Sequence, residues 1–240
     1  MSSPVAIITG AGSGVGRATA LKFAAEGWRV VVIGRRAEAL AATVAAADES
    51  LRANFLVRPC DLGNAVAVAA VVSDVTKDWG RIDVLVNAAG TNIPKRSLAE
   101  LSHADYAAVM DANIHGVLYL VQAVLPAMRR AGAGTIVNVG SEAGKQASPK
   151  AGAAYVVSKF GLTGLTQTIN AEERPNGIRA TCIFPGDIDT DLLQRRPVPP
   201  PAEARARMMQ PEDIAACAWF VVNLPARATI EEILIRPSRP

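Results

Sequence analysis

Cysteine is scarce in this sequence of 240 residues: Cys60, Cys182 and Cys217 lie far apart, with no CxxC pair and no even framework. That excludes a disulfide scaffold and reads as ordinary buried thiols of a reducing compartment. No metal site is expected. Charge of one sign is also missing. The 25 basic residues barely exceed the 22 acidic ones, for a net charge of +3. So slight an excess gives no reason to expect nucleic acid or an anionic membrane as partner. No run of about 18 apolar residues is present, so no membrane span is expected. No basic leader precedes a long apolar stretch, so no signal peptide is expected and a cytoplasmic setting follows. There is no internal repeat. What is there is a chain 50% apolar and 20% charged, long enough for one well-buried core.

Short apolar, β-branched runs recur at residues 5–9, 30–33, 55–57, 82–87, 135–139, 179–184 and 233–236. Continuous runs of this length suit strands buried on both faces. Ala-rich segments of helical length lie between them, at 14–26, 37–50, 64–78, 102–130, 153–174 and 211–222. Such alternation predicts an α/β fold, a parallel sheet with helices on both faces. Residues 1–240 are expected to form a single doubly wound domain of Rossmann type with about seven strands. Pro126 should kink or end the regular part of its long helix. The Arg- and Pro-rich run 195–201 reads as a loop or lid rather than a linker.

The first strand leads into Thr9-Gly10-Ala11-Gly12-Ser13-Gly14-Val15-Gly16, with glycine at every second position. Even spacing fits neither the Walker loop nor the GxGxxG fingerprint. The context still fits a phosphate site. Glycine lets backbone approach a ligand closely, and a helix starting near Gly14 points its free N–H groups at the turn.

Thr9, Gly10, Gly14 and Gly16, read as Thr-Gly-x-x-x-Gly-x-Gly, resemble the nucleotide-binding turn of the short-chain dehydrogenases/reductases. The resemblance runs along nearly the whole chain. It includes Asp61-Leu62 after the third strand, Asn87-Ala88-Ala89-Gly90 after the fourth and Asn113 in the long helix. It continues with Ser141 closing the fifth strand, Tyr155-Val156-Val157-Ser158-Lys159, and Pro185-Gly186-Asp187-Ile188-Asp189-Thr190. It implies a single-domain oxidoreductase that uses a nicotinamide dinucleotide on a small carbonyl or alcohol substrate.

The resemblance assigns catalysis to Asn113, Ser141, Tyr155 and Lys159. Four residues apart on a helix, Tyr155 and Lys159 share one face. A free phenol is a poor acid or base at neutral pH, and a nearby ammonium favours its ionised form. By resemblance, Tyr155 gives a proton to the carbonyl oxygen as hydride arrives, and takes it back in reverse. Ser141 bonds the same oxygen, Lys159 also holds the nicotinamide ribose, and Asn113 holds a relay water. Gly10, Gly12, Ser13, Gly14, Val15, Gly16, Asp61, Leu62, Asn87, Gly90, Pro185, Gly186, Ile188 and Thr190 are the implied cofactor contacts, with Tyr155 and Lys159.

At the end of the second strand no carboxylate follows Val32-Ile33. Gly34, Arg35 and Arg36 stand there instead. A carboxylate at this place binds the ribose hydroxyl of NAD, whereas guanidiniums suit the extra phosphate of NADP. NADP(H) is therefore the expected cofactor, with NAD(H) possible. Two features depart from the family pattern. One extra residue, within 145–150, separates Ser141 from Tyr155, and Ala88 replaces the second Asn of the usual motif. The C-terminal segment lacks the usual Asp-Gly-Gly. It looks like the branch of NADP-dependent 3-hydroxy acid dehydrogenases and broad carbonyl reductases, and is expected to be scaffold. Arg195, Arg196, Arg205 and Arg207 either attract an acidic substrate or form a solvated basic loop. A homo-oligomer, dimer or tetramer, is expected by resemblance. Two other readings stay open: a catalytically silent nucleotide-binding regulator, and an α/β nucleotide enzyme of another class.

Overall fold

A computed structural model describes residues 3–238. Its elements run β1 (Val5–Thr9), α1 (Gly14–Ala25), β2 (Arg29–Gly34), α2 (Ala37–Ala45), β3 (Phe55–Pro59), α3 (Ala65–Trp79) and β4 (Val84–Asn87). They continue α4 (His103–Met110), α5 (Gly116–Ala131), β5 (Gly134–Val139), α6 (Ala153–Glu173), β6 (Ile178–Pro185), α7 (Ala202–Arg205), α8 (Pro211–Val222) and β7 (Glu232–Ile235). The strands form one seven-stranded sheet in the order β3-β2-β1-β4-β5-β6-β7. Every pairing is parallel, in register from Val5 opposite Arg29 to Pro185 opposite Ile235. Helices cover both faces, so the inner strands are apolar on both sides, which is why β1 and β4 are buried at every position.

Two hydrophobic layers result. Leu85 and Ile136 pack with Val72, Leu120 and Leu162 from α3, α5 and α6. Ile8, Val32 and Val137 pack on the other face with Phe23 of α1 and Ile214 and Ala218 of α8. Phe23, Trp28 and Trp219 meet edge-to-face there, with centroids 5.2 Å apart for Phe23 with either Trp.

The long central helix departs from expectation. Pro126 sits inside α5 and does not end it. Val124 and Met128, on either side of it, are both fully buried, and packing of that face outweighs the hydrogen bond that proline forgoes. The irregularity falls earlier, in a π-helical turn at Asp111–His115. By length and mean hydropathy, residues 103–131 would pass as a membrane span, but their apolar stripe lies against the sheet. The helix expected over 37–50 stops at Ala45, and a 3-10 turn at Glu49–Asn54 leads into β3.

Candidate active site

β1 pairs with both β2 and β4, so the chain leaves neighbouring strands in opposite directions at this point. A doubly wound sheet opens a crevice there, at the carboxyl ends of its strands. A cleft of about 590 Å³ fills it, bordered by the turn after β1, the loops after β4, β5 and β6, and the first turns of α6.

The glycine turn is shaped by close backbone approach. Gly10 has φ of +65°, and a Cβ there would lie 2.8 Å from the Ala89 amide nitrogen. A Cβ on Gly16 would lie 2.4 Å from the Gly10 carbonyl oxygen, so only glycine lets α1 sit on the turn. Thr9 joins this turn to the next strand: its Oγ1 accepts from the amides of Ala88 and Ala89, both at 3.1 Å. Ser13 precedes α1 with no side-chain cap, leaving the first N–H groups of that helix facing the cleft. Open N–H groups beside a backbone that admits no Cβ fit a pyrophosphate. Ser13, Gly14 and Val15 line the cleft; Gly12 and Gly16 lie behind and shape it. Gly12 meets α2 instead, where Arg17 donates to its carbonyl at 2.7 Å.

Ser141, Tyr155 and Lys159 line the same cleft. Lys159 is 4% exposed and donates to the Val139 carbonyl at 2.9 Å, with its ammonium 5.4 Å from the centre of the Tyr155 ring. Ser141 Oγ accepts from the Ala143 amide at 3.2 Å, so its own O–H is free to donate into the cleft. Asn113 lies in the π turn and does not border the cleft. Its side chain exchanges hydrogen bonds with the Thr91 backbone, at 2.8 and 3.0 Å, and donates to Ser158 at 3.0 Å. Gly90 stands between Asn113 and Lys159: a Cβ there would lie 3.5 Å from the Asn113 Oδ1 and 3.8 Å from Lys159 Nζ.

Of the other implied contacts, Gly90, Pro185, Gly186, Ile188 and Thr190 border the cleft, the Thr190 methyl being 3.3 Å from where a Gly14 Cβ would stand. Asn87 does not border it. Its side chain is buried and donates to Asn138 at 2.8 Å, which donates on to Thr166 at 2.9 Å. Asp61 is exposed and accepts from the Gly63 amide at 3.1 Å, while Leu62 is buried against Gly116; neither borders the cleft. Arg35 and Arg36 are exposed just before α2, and their side chains make no hydrogen bond or ion pair among the described residues.

Four features escaped the sequence reading. Buried Asn92 and Arg96 pin the loop that carries the extra residue, through the carbonyls of Ala151 and Lys150. No motif marks either residue; Lys95-Arg96 looks like any solvated basic pair. Arg236, just past β7, borders the cleft and bonds Glu142. Three of the four arginines at 195–207 are spent internally, Arg195 on Thr91, Arg196 on Asp187 and Arg205 on Asp189, and Arg207 is exposed. Asp187 also takes Lys150 at 2.5 Å, tying the loop before α6 to the loop after β6. Burial pushes Asp187 up, but Lys150 and Arg196 outweigh it and hold its pKa below the ordinary aspartate value.

Residues 4–198 match the family described as short chain dehydrogenase. The chain belongs to that family. As a short-chain dehydrogenase it is an NAD(P)-dependent oxidoreductase. Its relatives differ in what they act on. A 3beta-hydroxysteroid dehydrogenase of Mediterraneibacter gnavus is 38% identical over 191 residues, 80% of this chain and 68% of the relative. Sulfoacetaldehyde reductase 2 of Chromohalobacter salexigens is 32% identical, over 99% of this chain and 95% of its own. Among solved structures, a metagenomic short-chain oxidoreductase in complex with NADP superposes with a TM-score of 0.84, at 32% identity and 99% coverage of both chains.

Proposed function

We propose that this short-chain dehydrogenase interconverts a carbonyl compound and a secondary alcohol or hydroxy acid, with NADP(H) as preferred cofactor. The observation that carries the reading is Tyr155 and Lys159 side by side in the cleft that Ser141 also borders. A nucleotide-binding regulator without catalysis needs none of the three. The turn at Gly10, Ser13 and Gly14 would hold a nicotinamide dinucleotide, which would supply the hydride for the carbonyl carbon. Tyr155 gives its hydroxyl proton to the carbonyl oxygen, and takes it back in the reverse direction. Ser141 donates its free O–H to that oxygen and steadies the charge developing on it. Lys159, with N–H donors left over from its bond to the Val139 carbonyl, would hold the cofactor ribose. Asn113 holds the loop at Gly90 beside Lys159, at the inner end of the path by which Tyr155 regains its proton.

Arg35 and Arg36 support the NADP preference, because two unpaired guanidiniums at the end of β2 suit a phosphate on the adenosine ribose. The same reading takes the protein to be a cytoplasmic dimer or tetramer. Tyr106 on α4 and Val157 and Phe160 on α6 are exposed and available to a second copy.

The test is titration with NADPH and NADH, followed by nicotinamide fluorescence, then turnover of the wild type and Tyr155→Phe. Tighter NADPH binding and loss of turnover with binding retained are expected. Full turnover by Tyr155→Phe would refute the assignment, and an NADH preference would refute the role of the arginines.

A further inference from the structure

Arg96 is charged, 6% exposed and unmatched by any carboxylate. Its Nε, Nη1 and Nη2 donate to the carbonyls of Ile93, Lys150 and Arg195. It forms no ion pair among the described residues. A charge taken out of water without a countercharge is costly, so an isolated buried guanidinium needs a reason. It borders the catalytic cleft together with Tyr155. The other arginines and lysines there are accounted for: Lys145 by Glu232, Lys150 and Arg196 by Asp187, and Arg236 by Glu142. Lys159 belongs to the catalytic set. Two of the five guanidinium N–H donors remain free of the three carbonyl bonds. Burial and the nearby Arg196 lower the pKa of Arg96, while Tyr155 acts to raise it. An arginine acting only as a loop staple has no need to border the cleft.

We propose that Arg96 is the anion-recognition residue of the substrate site, and that the substrate is a short oxo acid or hydroxy acid whose carboxylate or sulfonate sits on its guanidinium. The inference rests on the oxidoreductase reading and names its substrate class. Such an anion supplies the missing countercharge and fixes the carbonyl relative to Tyr155, since the planar fork binds a carboxylate in one orientation. Of the arginines at 195–207, Thr91, Asp187 and Asp189 occupy Arg195, Arg196 and Arg205, and Arg207 is exposed and does not border the cleft.

The experiment compares acetoacetate, glyoxylate and succinic semialdehyde with their methyl esters, each reduced by the wild type, Arg96→Met and Arg96→Lys. Binding of each acid to the protein with NADP+ present is measured in parallel by calorimetry. We expect the wild type to favour an acid over its ester in kcat/KM. Loss of a charge-assisted bond predicts that Arg96→Met lowers this ratio by roughly tenfold to a hundredfold. Arg96→Lys, which keeps the charge but not the fork, should fall between. A purely structural role would lower acid and ester together, and an unchanged ratio overturns the proposal. Wild-type indifference between acid and ester also overturns it, without any variant having to fold, and leaves the oxidoreductase reading intact. Arg96-dependent binding of an acid without its turnover would support the anion site and overturn that acid as a substrate. Absence of acid binding to the wild type would overturn the anion site.

Discussion

Thr9→Val tests the junction on which the cofactor turn depends. The two side chains are close in shape, and valine is the more apolar and the better strand former. Thr9 is 1% exposed at the end of a fully buried strand, so burial alone predicts that valine stabilises the protein. The hydrogen bonds predict the reverse. Thr9 Oγ1 is the acceptor for two amides, Ala88 and Ala89, each at 3.1 Å. A methyl group there leaves both N–H groups unpaired and crowds them. A buried donor left without a partner costs about 1–3 kcal/mol. Ala88 and Ala89 are half-buried, so water recovers part of this, and about 2–4 kcal/mol in total is expected. Thr9→Ser is the control: it keeps the acceptor and loses one methyl group, costing about 1 kcal/mol. Urea unfolding followed by circular dichroism should rank wild type above Ser above Val, with unchanged m-values. NADPH affinity should fall in the Val variant, because Gly10 packs against the same Ala88–Ala89 backbone. Thr9→Val at or above wild-type stability would refute the reasoning.

Further outcomes follow from the same geometry. Gly16→Ala forces a Cβ into the Gly10 carbonyl, 2.4 Å away, and backbone cannot swing aside as a side chain can. We expect a loss of about 1–3 kcal/mol and weakened NADPH binding, read by thermal melts and fluorescence titration. Wild-type affinity would contradict the packing described. Asp187 has a lowered pKa in the fold, so it contributes stability at pH values above its unfolded pKa, about 3.9. That contribution is lost as pH falls through the lowered folded value. Asp187→Asn should therefore reduce stability at neutral pH and flatten its decline in acid. Urea midpoints measured from pH 7 to pH 2.5 decide this, and parallel curves for the two proteins would count against the Lys150–Asp187–Arg196 link.

Much of the fold was legible because its signals are local. Buried parallel strands must be apolar throughout, so the runs around Ile7, Val31 and Leu85 announce themselves. Glycine is required where a Cβ has no room, as at Gly10 and Gly16. Boundaries were less legible. Nothing local says that the helix containing Pro126 will continue past it, since the cores formed by Val124 and Met128 decide that. A π turn likewise has no residue signature, yet it is what turns Asn113 toward Thr91 and Ser158.

The sequence by itself determined the order of strands and helices, the glycine turn, the Tyr155–Lys159 pair and the arginines after β2. Each depends on residues close together in the chain or on a motif with fixed spacing. Only the tertiary structure decided which groups share the cleft and which charges are already matched there. It turned the Asn87 side chain away into the Asn138 network and spent Arg195, Arg196 and Arg205 on Thr91, Asp187 and Asp189. It also buried Arg96 at the edge of the cleft that Tyr155 lines, with no carboxylate paired to it among the described residues. Burial and ion pairing join residues remote in sequence, so the state of a charge can be read only after the chain has folded around it.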